Sequence, residues 1–254
     1  MLLFNIRKFT HLIRKLLHLI IDATFIRALF KGVGAGYEHK AILRNLRPCN
    51  HIVDIGANRG QFALVARSCF PSARIDSFEP LKEPAAKYSK VFSGDKSAHL
   101  HPCAIGAETA EMTIHISNSD DSSSLLPIGK MQSTIFPNTQ EIATTQVHVT
   151  TLAKRLPEAE IGSNALLKID VQGYEMTTLT GCSNLLHKFK HVYVECSFIE
   201  MYEGQALASD VIHFLTGHSF TLVGVYNMHI EKTGLATQAD FLFRNGQNPI
   251  DASK

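Results

Sequence analysis

The sequence predicts an α/β domain: a largely parallel β-sheet covered by helices on both faces. Two observations predict it. From residue 51 onward, short apolar runs of strand length alternate with segments of helical period. The chain also has 254 residues, of which 45% are apolar, enough for a full core in one domain.

Each element follows from local pattern. "EHKAILRNL" reads as a helix ahead of the sheet. "HIVDIG" is the first strand and "GQFALVARSCF" a helix. "ARIDSFEP" is the second strand, "KEPAAKYSKVF" a helix, and "AHLHPCAIG" the third strand. "MTIHIS" and "TTQVHVTTL" read as insertion strands either side of the polar loop "NSDDSSS". "ALLKIDVQG" is a strongly apolar strand, followed by the helical "YEMTTLTGCSNLL". "HVYVECS" is a strand and "ASDVIHFLTGH" a helix, and "FTLVGVY" and "ADFLFR" close the sheet. Strands separated by helices favour parallel pairing.

Charged residues make up 19% and the formal net charge is +2, so no nucleic-acid partner is expected. The five cysteines are scattered and form no CxxC pair, so neither a zinc ribbon nor a disulfide framework is indicated, which suits a reducing cytoplasm. The first 31 residues depart from the average, with six Lys/Arg and one acid on apolar residues of helical spacing. Charges interrupt this stretch too often for a membrane span. The sequence therefore divides into residues 1–36, a basic amphipathic helix with a glycine link, and a domain over 37–254. The helix is expected to pack on the domain or on a second copy in a homodimer. The competing expectation is peripheral contact with anionic lipid at the inner membrane face. "GVGAG" lacks a preceding strand, so it is expected to be a flexible link and not a cofactor loop.

The candidate site begins at "VDIGANRGQ". In a parallel sheet, ligands bind at the carboxyl ends of strands near a reversal of strand order. Gly56 and Gly60 remove side chains where a ligand would press on the backbone. Asp54 and Asn58 add polar groups, and a helix N-terminus follows. The spacing is GxxxG and not the GxGxxG of a dinucleotide turn. Glu79, at the end of the second strand, can accept hydrogen bonds from both ribose hydroxyls. A donor with a ribose and no phosphate, S-adenosyl-L-methionine, suits this set. Asp170 and Glu195 end two further strands and place carboxylates on the same rim.

Taken together, "VDIGANRGQFAL", "SFEP", "AIG", "SSSLL", "VTTL", "LLKIDVQGYEMTTLTG", "VYVECSFIEMYEGQ" and "ADFLF" resemble the FkbM family of S-adenosylmethionine-dependent methyltransferases, over about residues 37–244. The resemblance implies a Rossmann-like, seven-stranded methyltransferase sheet and O-methylation of a hydroxyl on a sugar, glycan or secondary metabolite. It implies that Asp54, Gly56, Asn58 and Gly60 line the methionine part of the donor, that Glu79 takes its ribose, and that Ala104 and Ile105 lie near adenine. The chain departs from the family at Cys103, where a polar residue often helps hold adenine, and at Ala153, where Asp is common.

A hydroxyl is a poor nucleophile and needs a base, or a metal that acidifies it. Asp170 is the first candidate and Glu195 the second, and the pair could hold Mg²⁺. His99 with His101, and His187 with His191, are expected to be structural or surface histidines, with no metal site. The loop "SDDSSSLLP" reads as a solvated loop by composition and as a flap over the site by resemblance. "MYEGQ" reads either as a glycine turn or as a sugar-binding segment. Two other functions compete: an NAD-type oxidoreductase or epimerase, and a non-catalytic membrane-peripheral binding protein.

Overall fold

The computed structural model describes residues 23–247. The first 22 residues of the expected N-terminal helix therefore lie outside the described residues. None of the described helices is long and apolar enough to cross a membrane.

Seven strands form the main sheet: β1 (His51–Ile55), β2 (Arg74–Phe78), β3 (Ala98–His101), β7 (Ala165–Ile169), β8 (Phe189–Ser197), β9 (Phe220–Ile230) and β10 (Ala236–Asn245). Their order is β3-β2-β1-β7-β8-β10-β9. The first five are parallel, and β10 runs antiparallel to both β8 and β9. The expected seven-stranded sheet is present. β1 and β7 are buried along their whole length, because helices cover both faces. Strand order reverses at β1, which has β2 on one side and β7 on the other. That is where a crevice opens in such sheets.

Side chains alternate across each strand, so each face has its own core. Ile52, Ile75, Leu166 and Tyr193 pack under α1 (Ala23–Phe30), α2 (Lys40–Asn45), α3 (Gln61–Cys69) and α4 (Lys82–Val91). Val53, Leu167, Val192 and Phe241 pack under α6 (Leu152–Arg155), α7 (Glu175–Cys182) and α8 (Ala208–Gly217). The five cysteines are all free and buried.

Three expectations are corrected. "AHLHPCAIG" is two strands, not one. β3 ends at His101, and β4 (Ala104–Ile105) joins a second sheet of order β4-β6-β5 with β5 (Ala110–Ser117) and β6 (Glu141–Thr150). Pro102 has no N–H to donate, which ends the first pairing. "GVGAG" is not a loose link. Val33 and Ala35 are buried in the α3-side core, and the Gly36 N–H donates to the Gln61 carbonyl at 3.0 Å. The described part of the N-terminal helix, α1, packs there as well, through Phe25 and Ala28. Finally, "EHKAILRNL" opens as a 3-10 turn over Tyr37–His39 before α2 begins.

Candidate active site

A cavity of about 480 Å³ lies beyond the carboxyl ends of β1, β2 and β7. Of the residues expected in the site, Gly56, Asn58, Glu79, Ala104, Ile105 and Asp170 line it. Asp54, Gly60 and Glu195 do not line it.

The turn after β1 is held by the protein itself. Gly56, Asn58 and Gly60 all have positive φ, at 81°, 48° and 91°. The N–H groups of Gly56 and Ala57 donate to the Phe78 carbonyl at 3.1 and 3.0 Å. Side-chain-free space at Gly56 and Gly60 was expected to serve a ligand, but protein fills it. A Cβ on Gly60 would come within 2.8 Å of Phe92 and 2.9 Å of Tyr88. A Cβ on Gly56 would meet the Asp170 main chain.

Glu79 is buried at the foot of the cavity. Its Oε2 accepts from the Asn58 N–H at 2.9 Å, and its Oε1 accepts from the Leu81 N–H at 2.7 Å. Each carboxylate oxygen keeps a second lone pair for a ligand hydroxyl. Burial pushes the Glu79 carboxyl up to about 7, against the pull of those two backbone donors.

Asp54, Lys168 and Tyr193 are register neighbours across β1, β7 and β8 and share the α3 face. The Lys168 ammonium lies 3.3 Å from Asp54 Oδ1, 3.5 Å from Asp170 Oδ2 and 5.4 Å from the centre of the Phe62 ring. Burial opposes its charge, but Asp170 and Asp54 outweigh that and hold the ammonium above the ordinary lysine value. Burial pushes Asp54 up, and neither of its oxygens has a well-directed hydrogen bond among the described residues. The pair is therefore held by charge more than by hydrogen-bond geometry.

Gln172, with φ 55°, joins the two candidate catalytic carboxylates. Its amide nitrogen donates to Asp170 Oδ1 at 2.7 Å and to Glu195 Oε2 at 3.0 Å. Two accepting carboxylates hold the amide nitrogen on their side, and the Tyr202 hydroxyl donates to Gln172 Oε1 at 2.8 Å. Glu195 also accepts from Gln238 Nε2 at 2.7 Å. Burial, and then the neighbouring Asp170, raise the Glu195 carboxyl well above its ordinary value. The amide donor of Gln172 joins Asp170 to Glu195, and among the described residues no group of three or more His, Cys, Asp or Glu is arranged to hold a metal, so the expected Mg²⁺ finds no support. His101 is tied to Asp76 at 2.8 Å, and His187 to Glu158 at 3.1 Å.

Sequence reasoning missed His39. It lines the cavity, with its ring edge-on to Phe62 at 5.3 Å. Its Nδ1 lies 3.0 Å from the Tyr193 hydroxyl and 3.5 Å from Asp240 Oδ2. Tyr193 and Asp240 are about 150 and 200 positions away, so no local pattern could bring them together. Lys168 was legible in principle, as one cation inside the apolar "ALLKI".

The loop around residues 119–125 forms the remaining wall through Asp120, Asp121, Ser123, Ser124 and Leu125. Arg59 of the glycine turn holds it, donating through Nε to Asp120 Oδ2 at 2.8 Å. The "MYEGQ" segment is a turn, with Gly204 at φ 76°. Gln205 is spent within it, taking the Met201 N–H at 2.9 Å and donating to Ser197 Oγ at 2.8 Å.

Residues 54–222 match the model of the methyltransferase FkbM domain. The chain is 28% identical over 228 residues to the 2-O-methyltransferase NoeI of Sinorhizobium fredii, covering 87% of this chain and 90% of that protein. It is 26% identical over 203 residues to the 31-O-demethyl-FK506 methyltransferase FkbM of Streptomyces tacrolimicus, covering 70% of this chain and 75% of that one.

Proposed function

The chain belongs to the FkbM methyltransferase family, and on that premise we propose that it methylates a hydroxyl of a sugar, glycan or other small molecule. One observation carries the reading: Glu79 and Asp170 stand on the walls of a single cavity, one suited to a ribose and the other to an acceptor. The names of both relatives specify methylation at oxygen, which supports a hydroxyl acceptor.

The residues present fit S-adenosyl-L-methionine. When bound, it supplies a methyl already activated on a sulfonium. Glu79 keeps two free lone pairs for the ribose hydroxyls. Gly56 and Asn58 give the wall for the methionine end, with Asp54 and Gly60 shaping the turn. Ala104 and Ile105 give an apolar seat for adenine, beside a buried Cys103. Asp170, held by Gln172 and Lys168, forms the cavity wall against which the acceptor is aligned, and alignment of this kind supplies much of the rate in such a transfer. Glu195 acts through Gln172 by holding Asp170 in place.

Calorimetry with S-adenosyl-L-methionine and with NAD, followed by labelled-donor transfer to a glycan extract, tests the proposal. Donor binding with label in the extract is expected. Binding of NAD alone would favour the oxidoreductase reading. Donor binding with no transfer to any hydroxylated acceptor would leave a binding protein.

A further inference from the structure

We propose that His39 is the catalytic base that takes the proton of the acceptor hydroxyl, through Nε2. The inference rests on the methyltransferase reading above and deepens it. Hydrogen-bond direction argues for it. The Tyr193 hydroxyl has one proton and donates it to Asp240 Oδ2 at 2.7 Å. Asp240 Oδ2 also accepts from Asn227 Nδ2 at 2.7 Å, so it acts as the acceptor at the end of the chain. Burial, and then Asp240, push the Tyr193 hydroxyl up, so it keeps that proton. The Tyr193 oxygen then accepts from the Asn227 amide at 3.2 Å and from His39 Nδ1 at 3.0 Å. The Asn227 nitrogen also lies 3.4 Å from Nδ1, but its two protons go at shorter range to Asp240 and Tyr193, so the imidazole proton sits on Nδ1. Nε2 is left with a lone pair and no hydrogen-bond partner among the described residues, on a ring that lines the cavity.

A base held by a second group that fixes its tautomer is the arrangement a proton transfer needs. Asp170 is less free to act. Its Oδ1 takes the Gln172 amide, and its Oδ2 faces the Lys168 ammonium. In the step, the hydroxyl oxygen bonds to the methyl carbon and the carbon–sulfur bond breaks with its electron pair left on sulfur. The hydroxyl proton passes to His39 Nε2. The imidazolium so formed is stabilised by Asp240, directly and through the Tyr193 oxygen, and later releases its proton to water.

The first test needs no acceptor. ¹⁵N NMR of the histidine rings in the full chain reads the tautomer, with the His39 signals identified by their loss in His39→Gln. His39 is expected as the Nδ1–H form, and Tyr193→Phe is expected to turn it toward the Nε2–H form. An Nε2–H form in the parent chain, or no response to Tyr193→Phe, would overturn the proposal. The second test uses labelled donor and a panel of methyl glycosides. His39→Ala and His39→Gln should keep the donor Kd and lose about two to four decades in kcat, with partial recovery of the alanine variant in added imidazole. Unchanged kcat would also overturn it. Failure of the parent chain to bind S-adenosyl-L-methionine would bring down the methyltransferase reading instead, whatever tautomer His39 shows.

Discussion

Gly56 and Asp170 are in backbone contact: a Cβ added to Gly56 would sit 1.8 Å from the Asp170 carbonyl oxygen. The two residues cap the neighbouring strands β1 and β7 at the point where the sheet order reverses. Gly56 also has φ 81°, a conformation that other residues adopt at a cost. Gly56→Val therefore forces these strand ends apart. It is expected to lose about 3 kcal/mol of stability from overpacking and backbone strain combined. Urea unfolding checks this, and an unchanged midpoint would show that the contact relaxes freely.

Glu79 sets a pH dependence. Its folded-state value, raised by burial to about 7 from an ordinary 4.5, means that the folded chain holds this proton more tightly than the unfolded one. The corresponding stability is fully present below about 4.5 and is lost as pH rises through about 7. Glu175, raised by burial to the same value, adds to the effect. Melting temperature should fall between these limits, and less so in Glu79→Gln. Donor affinity should run the opposite way, rising with pH as the carboxylate ionises and accepts the ribose. Glu79→Ala should weaken the donor by about 1–3 kcal/mol. Calorimetry across pH 5 to 8 would contradict the ribose assignment if affinity stayed flat.

Much of this was legible in the sequence because it is local. The turn from Gly56 to Gly60, the acid after β2 and the acid after β7 each belong to a short strand-end pattern, and parallel pairing brings strand ends together. What each glycine meets is not local. Asp170 presses on Gly56, while Tyr88 and Phe92 press on Gly60, so a spacing that invites a ligand reading is met by packing. Gln172 was read only as part of the strand segment "ALLKIDVQG", and its two-carboxylate bridge depends on Glu195 and Tyr202 arriving from other segments. His39 was hidden for the same reason. Its partners lie on β8 and β10, beyond the reach of any periodicity.

Lys168 balances two carboxylates inside the sheet. Lys168→Met should leave Asp54 as an uncompensated buried charge and cost about 3–5 kcal/mol, the scale for breaking one side of a buried pair. Adding Asp54→Asn should restore a large part of the loss. Denaturant unfolding of the single and double variants measures the coupling, and purely additive losses would mean that the pair does not interact.

The Arg59–Asp120 pair behaves differently, since Arg59 is 33% exposed and Asp120 22%. Asp120→Ala should change stability by no more than about 1 kcal/mol. Its effect should appear in kinetics, because the pair ties the wall formed by residues 120–125 to the turn beneath it. Stopped-flow donor dissociation is expected to quicken, and an unchanged rate would argue that this loop does not hold the ligand in.

The five buried thiols give the molecule a built-in clock. Burial pushes Cys49 up to about 11 and raises Cys103, Cys182 and Cys196 as well, so in the folded state they are neither exposed nor ionised. A colorimetric disulfide reagent can then react only when a region opens, and each cysteine reports the opening of its own neighbourhood. Cys49 and Cys69, the latter at the end of α3, belong to the core on the α3 side, and Cys103, Cys182 and Cys196 to the core of the opposite face. The chain thus carries separate timers for its two layers, and S-adenosyl-L-methionine should slow whichever layer it binds against.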